Sequence, residues 1–339
     1  MAYTTIDDPT AYFQTKIYSG TGSDLSLTFD GNSNMQPDWV WLKRRSGSGN
    51  HFVWDSTRGV NASLVPNDTD AEDTSGESIN YFDSFDSNGF TVGGGGYTNT
   101  NASGSTYVGW SWKANGGTTS SNSNGSITST VQANTTAGFS IVSYTGTGSN
   151  ATVGHGLSSA PACYVVKSRD TAYDWRMYHQ GMGETKYLNS NQDIAAVTAS
   201  NAWNDTAPTS SVFSLGSGST VNKSGDDFIA YCFAEIKGYS KFGSYEGNGN
   251  NDGTFIYTGF KPAWVVTKSI DTTSHFNCKD NKRSTFNTVD DYHKLNEPTA
   301  EDTGVSSHAM DFLSNGFKHR GNNDEVNGSE TYIYMAFAE

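Results

Sequence analysis

The stretch Phe139-Ser-Ile-Val-Ser-Tyr-Thr-Gly-Thr-Gly-Ser149 decides the fold, because its second half occurs twice more in the chain. Tyr144-Thr-Gly-Thr-Gly-Ser149 matches Tyr18-Ser-Gly-Thr-Gly-Ser23 and Tyr245-Glu-Gly-Asn-Gly-Asn250. Aromatic and β-branched residues that run into two glycines are typical of a strand that ends in a tight turn. The phrase therefore marks one structural element that the chain uses three times.

Two further landmarks recur in the same order. The first is a strand that begins with Pro and ends with Lys, in the segments Pro37–Lys43, Pro161–Lys167 and Pro262–Lys268. The second is an aromatic closing strand, in the segments Tyr107–Trp112, Phe228–Phe233 and Tyr332–Phe337. The intervals Tyr144 to Tyr245 and Pro161 to Pro262 are both 101 residues long. One domain repeated three times explains the shared spacing, and its strand aromatics are predicted to be core residues.

Composition favours short strands joined by many turns. Aromatic residues make up 13% of the chain, and Asn-Gly turns such as Asn88-Gly89 and Asn315-Gly316 separate the strand patterns. We therefore predict an all-β protein with three tandem antiparallel β-sandwich domains of the jelly-roll type. The predicted domains are residues 1–114, which include a short N-terminal arm, 137–237 and 238–339. Residues 115–136 are rich in Gly, Ser, Thr and Asn and predict a flexible linker, which would leave the first domain freer than the other two.

Charge and cysteine content exclude several classes of function. The net charge of −14 argues against nucleic-acid binding and against anionic membrane surfaces. No run of 18 apolar residues predicts a membrane span, and residues 1–10 do not resemble a signal peptide. Three cysteines without a Cys-x-x-Cys pair indicate a reducing compartment and no structural zinc.

The candidate ligand site is a trio of an aromatic, an acid and an arginine. Trp54, Asp55 and Arg58 lie close together in the sequence, and Trp175 followed by Arg176 is interpreted as the counterpart of Trp54. Phe276 is the third member of that predicted set. A ring for the C–H face of a sugar and polar groups for its hydroxyls would suit a glycan, whereas the alternative interpretation is a core aromatic beside an ion pair. Three equivalent lysines, Lys43, Lys167 and Lys268, are predicted to reach solvent at the strand ends.

Catalysis is not predicted. None of the seven histidines occupies one position in all three repeats, and the acidic residues lie in polar loops. The glycines after each repeated Tyr lack the lysine and the helix of a phosphate loop, so they are interpreted as turns. We expect no enzymatic activity and no cofactor.

Several long segments resemble virion proteins of tailed phages, especially marine phages and cyanophages. The segments are Phe139–Gly156, Trp175–Gly181, Asp227–Tyr245 and Tyr332–Glu339. The opening Met-Ala-Tyr-Thr-Thr-Ile-Asp-Asp-Pro is similar to the start of those proteins, which led us to expect a complete chain. The resemblance implies a tail fibre or capsid appendage with concanavalin-like (laminin-G-like) jelly rolls. Calcium, bound by Asp and main-chain oxygens, is the one metal ion that this resemblance implies as a candidate ligand.

The expected function follows from this resemblance and from the repeats. We expect a protein of the outer virion surface that is made in the host cytoplasm and released by lysis. Its expected partners are other virion proteins, further copies of itself and host-surface polysaccharide, which it would contact weakly and multivalently. Nucleic-acid binding and membrane insertion are not expected. The alternatives are a purely architectural capsid decoration protein and, second, a glycan-depolymerising tail enzyme.

Overall fold

The structure is a computed structural model that describes residues 4–75, 80–95 and 97–339. It consists mainly of antiparallel β-strands, so the prediction of an all-β fold is confirmed. The α-helices of the described residues are single turns: α1 (Ser200–Trp203), α2 (Ser219–Asn222) and α3 (Asp324–Asn327). The 3-10 turns are Pro9–Ala11 and Ser306–His308.

The strands follow the three sequence repeats, which we call the first (11–114), second (137–237) and third (238–339) repeat. The first contains β1 (Phe13–Ser19), β2 (Leu25–Thr28), β3 (Trp39–Arg44), β4 (Phe52–Asp55), β5 (Ser84–Asp86), β6 (Gly89–Val92) and β7 (Thr106–Trp112). Before the second lie β8 (Ser120–Asn122) and β9 (Ser129–Asn134). The second contains β10 (Phe139–Thr145), β11 (Ala151–Gly154), β12 (Cys163–Ser168), β13 (Arg176–His179), β14 (Lys186–Asn189), β15 (Val197–Thr198), β16 (Val212–Leu215) and β17 (Asp227–Phe233). The third contains β18 (Ser240–Glu246), β19 (Phe255–Tyr257), β20 (Trp264–Ser269), β21 (Asn277–Asp280), β22 (His293–Lys294), β23 (Met310–Leu313), β24 (Gly316–His319) and β25 (Thr331–Phe337).

One order of four strands occurs in the larger sheet of every repeat. It is β1-β7-β3-β4 in the first repeat, β10-β17-β12-β13 in the second and β18-β25-β20-β21 in the third. The register is also the same, as shown by the equivalent pairs Trp39–Trp112, Cys163–Phe233 and Trp264–Phe337. The repeated sequence phrases therefore form equivalent strands with equivalent neighbours.

Each repeat has its own apolar core on one face of the larger sheet. Smaller sheets contribute to these cores, with the strand orders β2-β6-β5, β11-β16 and β19-β24-β23. In the first repeat, Val40 and Trp54 of the larger sheet belong to the same buried cluster as Leu27 and Phe90 of the smaller sheet. Burial of this apolar surface stabilises each pair of sheets.

The other face of all three larger sheets belongs to one shared core. A single buried cluster contains residues of every repeat, among them Trp39, Trp112, Phe233, Trp264 and Phe337. The Trp112 and Trp264 ring centroids are 5.5 Å apart, and those of Phe233 and Phe337 are 5.8 Å apart. The first repeat is therefore packed against the other two rather than freer than them.

Burial on both faces explains the composition of the closing strands. In β7, β17 and β25 apolar and aromatic residues do not alternate with exposed polar ones, and nearly every position is buried. The predicted core aromatics are indeed buried, which confirms that prediction: Trp39, Tyr107, Phe228, Trp264 and Tyr332. Only one face of each larger sheet packs within its own repeat, so the second face is free to pack against the other repeats.

The predicted linker 115–136 is held in place by hydrogen bonds. Strand β9 pairs with β10 and β8 pairs with β9, which extends the larger sheet of the second repeat. The buried Asp38 carboxylate accepts main-chain hydrogen bonds from Ala114, Gly116 and Gly117 at 2.7–2.9 Å. The expectation of a flexible coil is corrected here, because these polar residues hydrogen-bond to the sheet and to Asp38 although they have little apolar surface to bury.

The Tyr-x-Gly-x-Gly phrases are turns, as the sequence indicated. Each Tyr hydroxyl donates to a main-chain carbonyl 77–82 residues away: Tyr18 to Thr100, Tyr144 to Val221 and Tyr245 to Val326. The first glycine must lack a side chain, since a Cβ on Gly146 would lie 2.2 Å from the Lys223 carbonyl oxygen. The phrase therefore fixes the turn after the first strand of each repeat.

Candidate functional site

Strand register corrects the predicted equivalence of Trp54 and Trp175. Val40 of β3 pairs with Trp54, and the matching residue of β12, Tyr164, pairs with Tyr178. Trp54 therefore corresponds to Tyr178, three residues after Trp175. The error arose because an aromatic occurs near the start of each strand, and sequence spacing alone does not show which one faces the partner strand.

Trp175 and Phe276 correspond instead to His51. The main-chain N–H of each donates to an asparagine side chain at 2.8–3.0 Å: His51 to Asn67, Trp175 to Asn191 and Phe276 to Asn296. Trp175 is buried, and its indole N–H donates to the Val65 carbonyl of the first repeat at 3.0 Å. Trp175 is therefore part of a contact between two repeats, where it presents no open face to a sugar.

The Asp55 and Arg58 side chains form a buried ion pair. Arg58 Nε donates to Asp55 Oδ2 at 2.5 Å, and the two side chains are at most 1% exposed. Tyr231 of the second repeat donates its hydroxyl hydrogen to the same oxygen at 2.7 Å. Burial lowers the pKa of Arg58, but its interactions with Asp55, Tyr231 and Glu72 together raise the pKa above its ordinary value. The pair keeps Arg58 charged inside the boundary between the first and second repeats.

Glu72 extends this pair into a network. Arg58 Nη1 donates to Glu72 Oε2 at 3.0 Å, and Arg169 of the second repeat donates to both Glu72 oxygens at 2.7 and 2.9 Å. The Glu72 main-chain N–H also donates to the Arg169 carbonyl. Each charge is thereby paired and hydrogen-bonded, as a buried charge requires.

The boundary between the third and first repeats uses the same geometry. Arg283 Nε donates to Asp280 Oδ2 at 2.5 Å, and Trp110 of the first repeat donates its indole N–H to that oxygen at 2.9 Å. Glu301 accepts from Arg283 at 3.2 Å and from Arg45 of the first repeat at 2.9 Å. At this boundary Trp110 has the role that Tyr231 has between the first and second repeats, and Arg45 has the role of Arg169.

The boundary between the second and third repeats has no ion pair at the equivalent positions, which are apolar except for His179. Strand register and sequence spacing place His179, Met182, Ala196, Ile270 and Met335 where the other boundaries have Asp, Arg, Glu, Arg and an aromatic. The main chain is nevertheless alike, because Ala196 N–H donates to the Ile270 carbonyl at 2.9 Å. Three boundaries of one geometry join the first repeat to the second, the second to the third and the third to the first, so the repeats form a closed ring.

Arg176 lies apart from this network. Its guanidinium is 3.9 Å from the centroid of the Tyr187 ring, and it donates to Asn189 on the neighbouring strand. The residues predicted as a ligand site are therefore distributed over three places: Trp54 lies in the core of the first repeat, Asp55, Arg58 and Trp175 join the first repeat to the second, and Arg176 lies apart. The interpretation as core aromatics beside an ion pair describes their contacts.

The three equivalent lysines are buried, which corrects the prediction that they reach solvent. Lys43 donates to the Pro298 carbonyl of the third repeat at 3.1 Å, and Lys167 donates to the Thr69 carbonyl of the first repeat at 3.0 Å. Lys268 donates to carbonyl and hydroxyl oxygens of its own loop. Burial lowers the pKa of each of these lysines to about 8.

An apolar cavity lies where the three repeats meet. Its lining includes the equivalent residues Trp41, Val165 and Val266, together with Trp175 and Phe276. It encloses about 590 Å³ of empty space, part of which is open solvent, and its surface is almost entirely apolar. The closed part of this cavity has a volume of about 50 Å³, which is smaller than a cavity that holds an aromatic ring, and it offers few polar groups to fix the orientation of a ligand.

A polar basin lies at one edge of the first repeat. We define the basin by Asp24, Asn80, Asp83, Gly94, Gly95 and Tyr97, which surround about 620 Å³ of empty space that includes open solvent. Burial, and then the charge of Asp24, raises the pKa of Asp83. The Tyr97 ring makes an edge contact with Tyr81, with centroids 4.2 Å apart.

Glycines allow the basin side chains to approach the main chain. A Cβ on Gly93 would lie 2.9 Å from Asp83 Oδ1, and one on Gly94 would lie 2.7 Å from Asp24 Oδ1. The Gly94 N–H donates to that Asp24 oxygen at 2.6 Å. Sequence analysis missed this site, although the run from Gly93 to Gly96 was a usable signal. Carboxylates, an amide and a ring beside an open space are groups that bind a polyhydroxylated ligand.

Within residues 4–75, 80–95 and 97–339, no group of three or more His, Cys, Asp or Glu side chains is arranged to hold a metal ion. No helix of these ranges combines the length and the apolar character that crossing a membrane requires.

Comparison with known proteins gives one match. A family model described as a domain of unknown function, DUF7483, matches residues 8–339. No curated protein and no solved structure matches the chain.

Proposed function

Since the chain belongs to the DUF7483 family, whose function is unknown, we propose a function from the chain itself: a protein of the outer phage virion surface that contacts host glycans. In this proposal the repeats are three concanavalin-like jelly rolls, and the protein is a tail fibre or capsid appendage. The proposal rests on the sequence resemblance for the virion and on the basin of the first repeat for the glycan.

The basin has the chemistry that a pyranose needs. Carboxylates of Asp24 and Asp83 accept hydrogen bonds from hydroxyl groups, the Asn80 amide both donates and accepts, and Tyr97 offers a ring. By strand register, Asn150 and Gly253 occupy the position of Asp24 in the other repeats. The second and third repeats therefore lack the Asp24 carboxylate, and in this proposal multivalent contact comes from many copies on a particle.

A glycan array with the full chain tests this function. We expect weak binding that the Asp83→Asn variant reduces about tenfold, the effect of losing one charge-assisted hydrogen bond. The control is Asp205→Asn, which changes an exposed carboxylate of the second repeat and should bind like the unchanged chain. Equal binding by both variants would remove the basin from the proposal.

The closed ring favours a second candidate, a purely architectural decoration protein. Buried boundaries and a shared core give a rigid body that suits coverage of a particle surface without any ligand. Absence of glycan binding by both the isolated chain and the whole virion would support this candidate. Release of new reducing ends from host polysaccharide, abolished by Asp83→Asn, would instead support the depolymerase.

A further inference from the structure

The core of the third repeat contains two basic residues where the other repeats have apolar ones. By register, Lys279 of β21 occupies the position of Trp54 and Tyr178. His319 of β24 occupies the position of Val92 and Leu215. Both substitutions lie in one repeat and on facing sheets.

Both side chains are buried without hydrogen-bond partners. Lys279 is 1% exposed and His319 is fully buried. Among the residues that the structure describes, none bonds to Lys279 Nζ or to either ring nitrogen of His319. Leaving such groups unpaired costs about 1–3 kcal/mol each, and more for a charged one. Lys279 Nζ and the N–H of the His319 ring therefore require a further group that accepts hydrogen bonds.

The surroundings of these two residues are aromatic and positive. Lys279 Nζ lies 4.8 Å from the centroid of the Tyr292 ring, whose other contacts include the stacked His308 ring at 4.4 Å. The His319 ring lies 5.1 Å from that of Tyr245. The charges of Lys279 and His308 add to burial in lowering the pKa of His319, which places the three basic groups within electrostatic reach of one another.

Acidic groups near this cluster are engaged elsewhere or do not bond to it. Asp291 accepts the Gly304 N–H at 3.0 Å, and Glu325 lies 3.4 Å from His308. Asp290 and Asp291 raise the pKa of Lys279, but burial, the larger effect, lowers it, as does the charge of Arg283. No described carboxylate therefore accepts a hydrogen bond from Lys279.

We propose that the interior of the third repeat binds one small halide-sized anion, such as chloride, between Lys279 Nζ and the His319 ring. An anion accepts a hydrogen bond from Lys279 Nζ and one from the N–H of the His319 ring, and it offsets the charge of Lys279. A water molecule also accepts hydrogen bonds, but it leaves the charge of Lys279 uncompensated in an apolar interior. The Lys279 side chain is smaller than Trp54 and Tyr178 at the equivalent positions, and the space that this difference leaves favours a monatomic ion over phosphate or a carboxylic acid.

Thermal unfolding of the full chain tests the anion site. We expect the Tm to rise by about 2 °C or more, in a saturable manner, when sodium chloride replaces sodium gluconate at fixed ionic strength. Lys279→Tyr and His319→Leu copy the second repeat and should abolish this rise. Lys318→Met, which removes a surface ion pair with Asp252 beside the site, should retain it. An equal chloride response in all variants would overturn the proposal.

Bromide in crystals of the unchanged chain provides a test that does not depend on variants folding. An anomalous peak in contact with Lys279 Nζ, on the side of His319, is the expected result for a halide. An ordered water at that place, with bromide only on the surface, would refute the site.

Discussion

Tyr231 donates its hydroxyl hydrogen to Asp55 across 176 residues of sequence, at 2.7 Å. The bond joins the closing strand of the second repeat to the fourth strand of the first. Trp110 donates to Asp280 in the same way between the first and third repeats. Two of the boundaries between repeats therefore share one geometry, in which a buried Asp accepts a hydrogen bond from Tyr231 in one case and from Trp110 in the other.

The Tyr231→Phe variant should destabilise the whole chain. It removes one hydrogen bond to a buried carboxylate while Arg58 still holds Asp55, so we expect a loss of about 1.5–3 kcal/mol in the free energy of unfolding. Chemical denaturation measures this loss. Tyr187→Phe, in a ring that packs under Arg176, is the control and should change stability by less than about 0.5 kcal/mol.

Removing Arg58 should be more damaging than removing the network that surrounds it. Arg58→Met leaves Asp55 and Glu72 short of a buried partner, which should cost about 3–5 kcal/mol. A combined variant copies the uncharged boundary between the second and third repeats. Its substitutions are Asp55→His, Arg58→Met, Glu72→Ala, Arg169→Ile and Tyr231→Met. It should be more stable than Arg58→Met alone. A combined variant that is less stable would show that the two kinds of boundary differ in backbone geometry as well.

Acid should destabilise the fold below about pH 6.5. Burial lowers the pKa of five histidines, to about 4 for His179 and about 3 for His319. The others are His51, His155 and His293. Since the unfolded chain then binds more protons than the folded chain, their stabilising contribution is complete above pH 6.5 and is lost as the pH falls.

Glu339 acts in the opposite direction. Burial raises its pKa to about 7, so its contribution is complete below pH 4.5 and is lost as the pH rises through 7. Denaturation at pH 7.5, 5.5 and 4.5 should still show a net loss on acidification. His179→Gln should remove about 3 kcal/mol of that loss, whereas a stability that rises towards pH 4.5 would contradict the assignment.

The segment 115–124 should resist proteolysis as long as Asp38 is intact. Asp38 accepts three main-chain hydrogen bonds from this part of the chain and one from the Ser56 hydroxyl. Asp38→Ala should therefore make this segment the first site of cleavage. Mass spectrometry of early fragments measures the effect, with the surface variant Asp86→Ala as control. Cleavage there in the unchanged chain would contradict the structure.

Much of the fold was predictable from the repeated landmarks. Tyr144 and its counterparts mark the first strand, and the Pro…Lys phrases mark β3, β12 and β20. The closing strands also carried unused information, because Trp110 and Trp112 with Val108 leave no polar face for solvent. That pattern indicates a sheet that is buried on both sides, which is a stronger inference than an aromatic strand alone.

The site was less predictable, for a physical reason. Asp55 and Arg58 have the spacing of an ordinary surface pair, and only the partner Tyr231, far away in sequence, makes them internal. A usable signal was the joint occurrence of Asp-x-x-Arg in the first and third repeats and its absence from the second. Lys279 was equally ambiguous, since a lysine in a short strand usually reaches solvent.

The two kinds of boundary have a consequence for assembly during synthesis. Suppose that the first repeat of one nascent chain packed against the third repeat of another chain, through the surface that normally contacts its own second repeat. Arg58 would then face Met335 and Ile270 instead of Tyr231 and Arg169, so Asp55 would lose the hydrogen bond that Tyr231 donates and Glu72 would lose the cation Arg169. An assembly of repeats from different chains would bury unpaired charges and would be less stable than the correct one. The difference between the charged and the uncharged boundaries therefore favours contacts between repeats of the same chain when several chains are synthesised side by side.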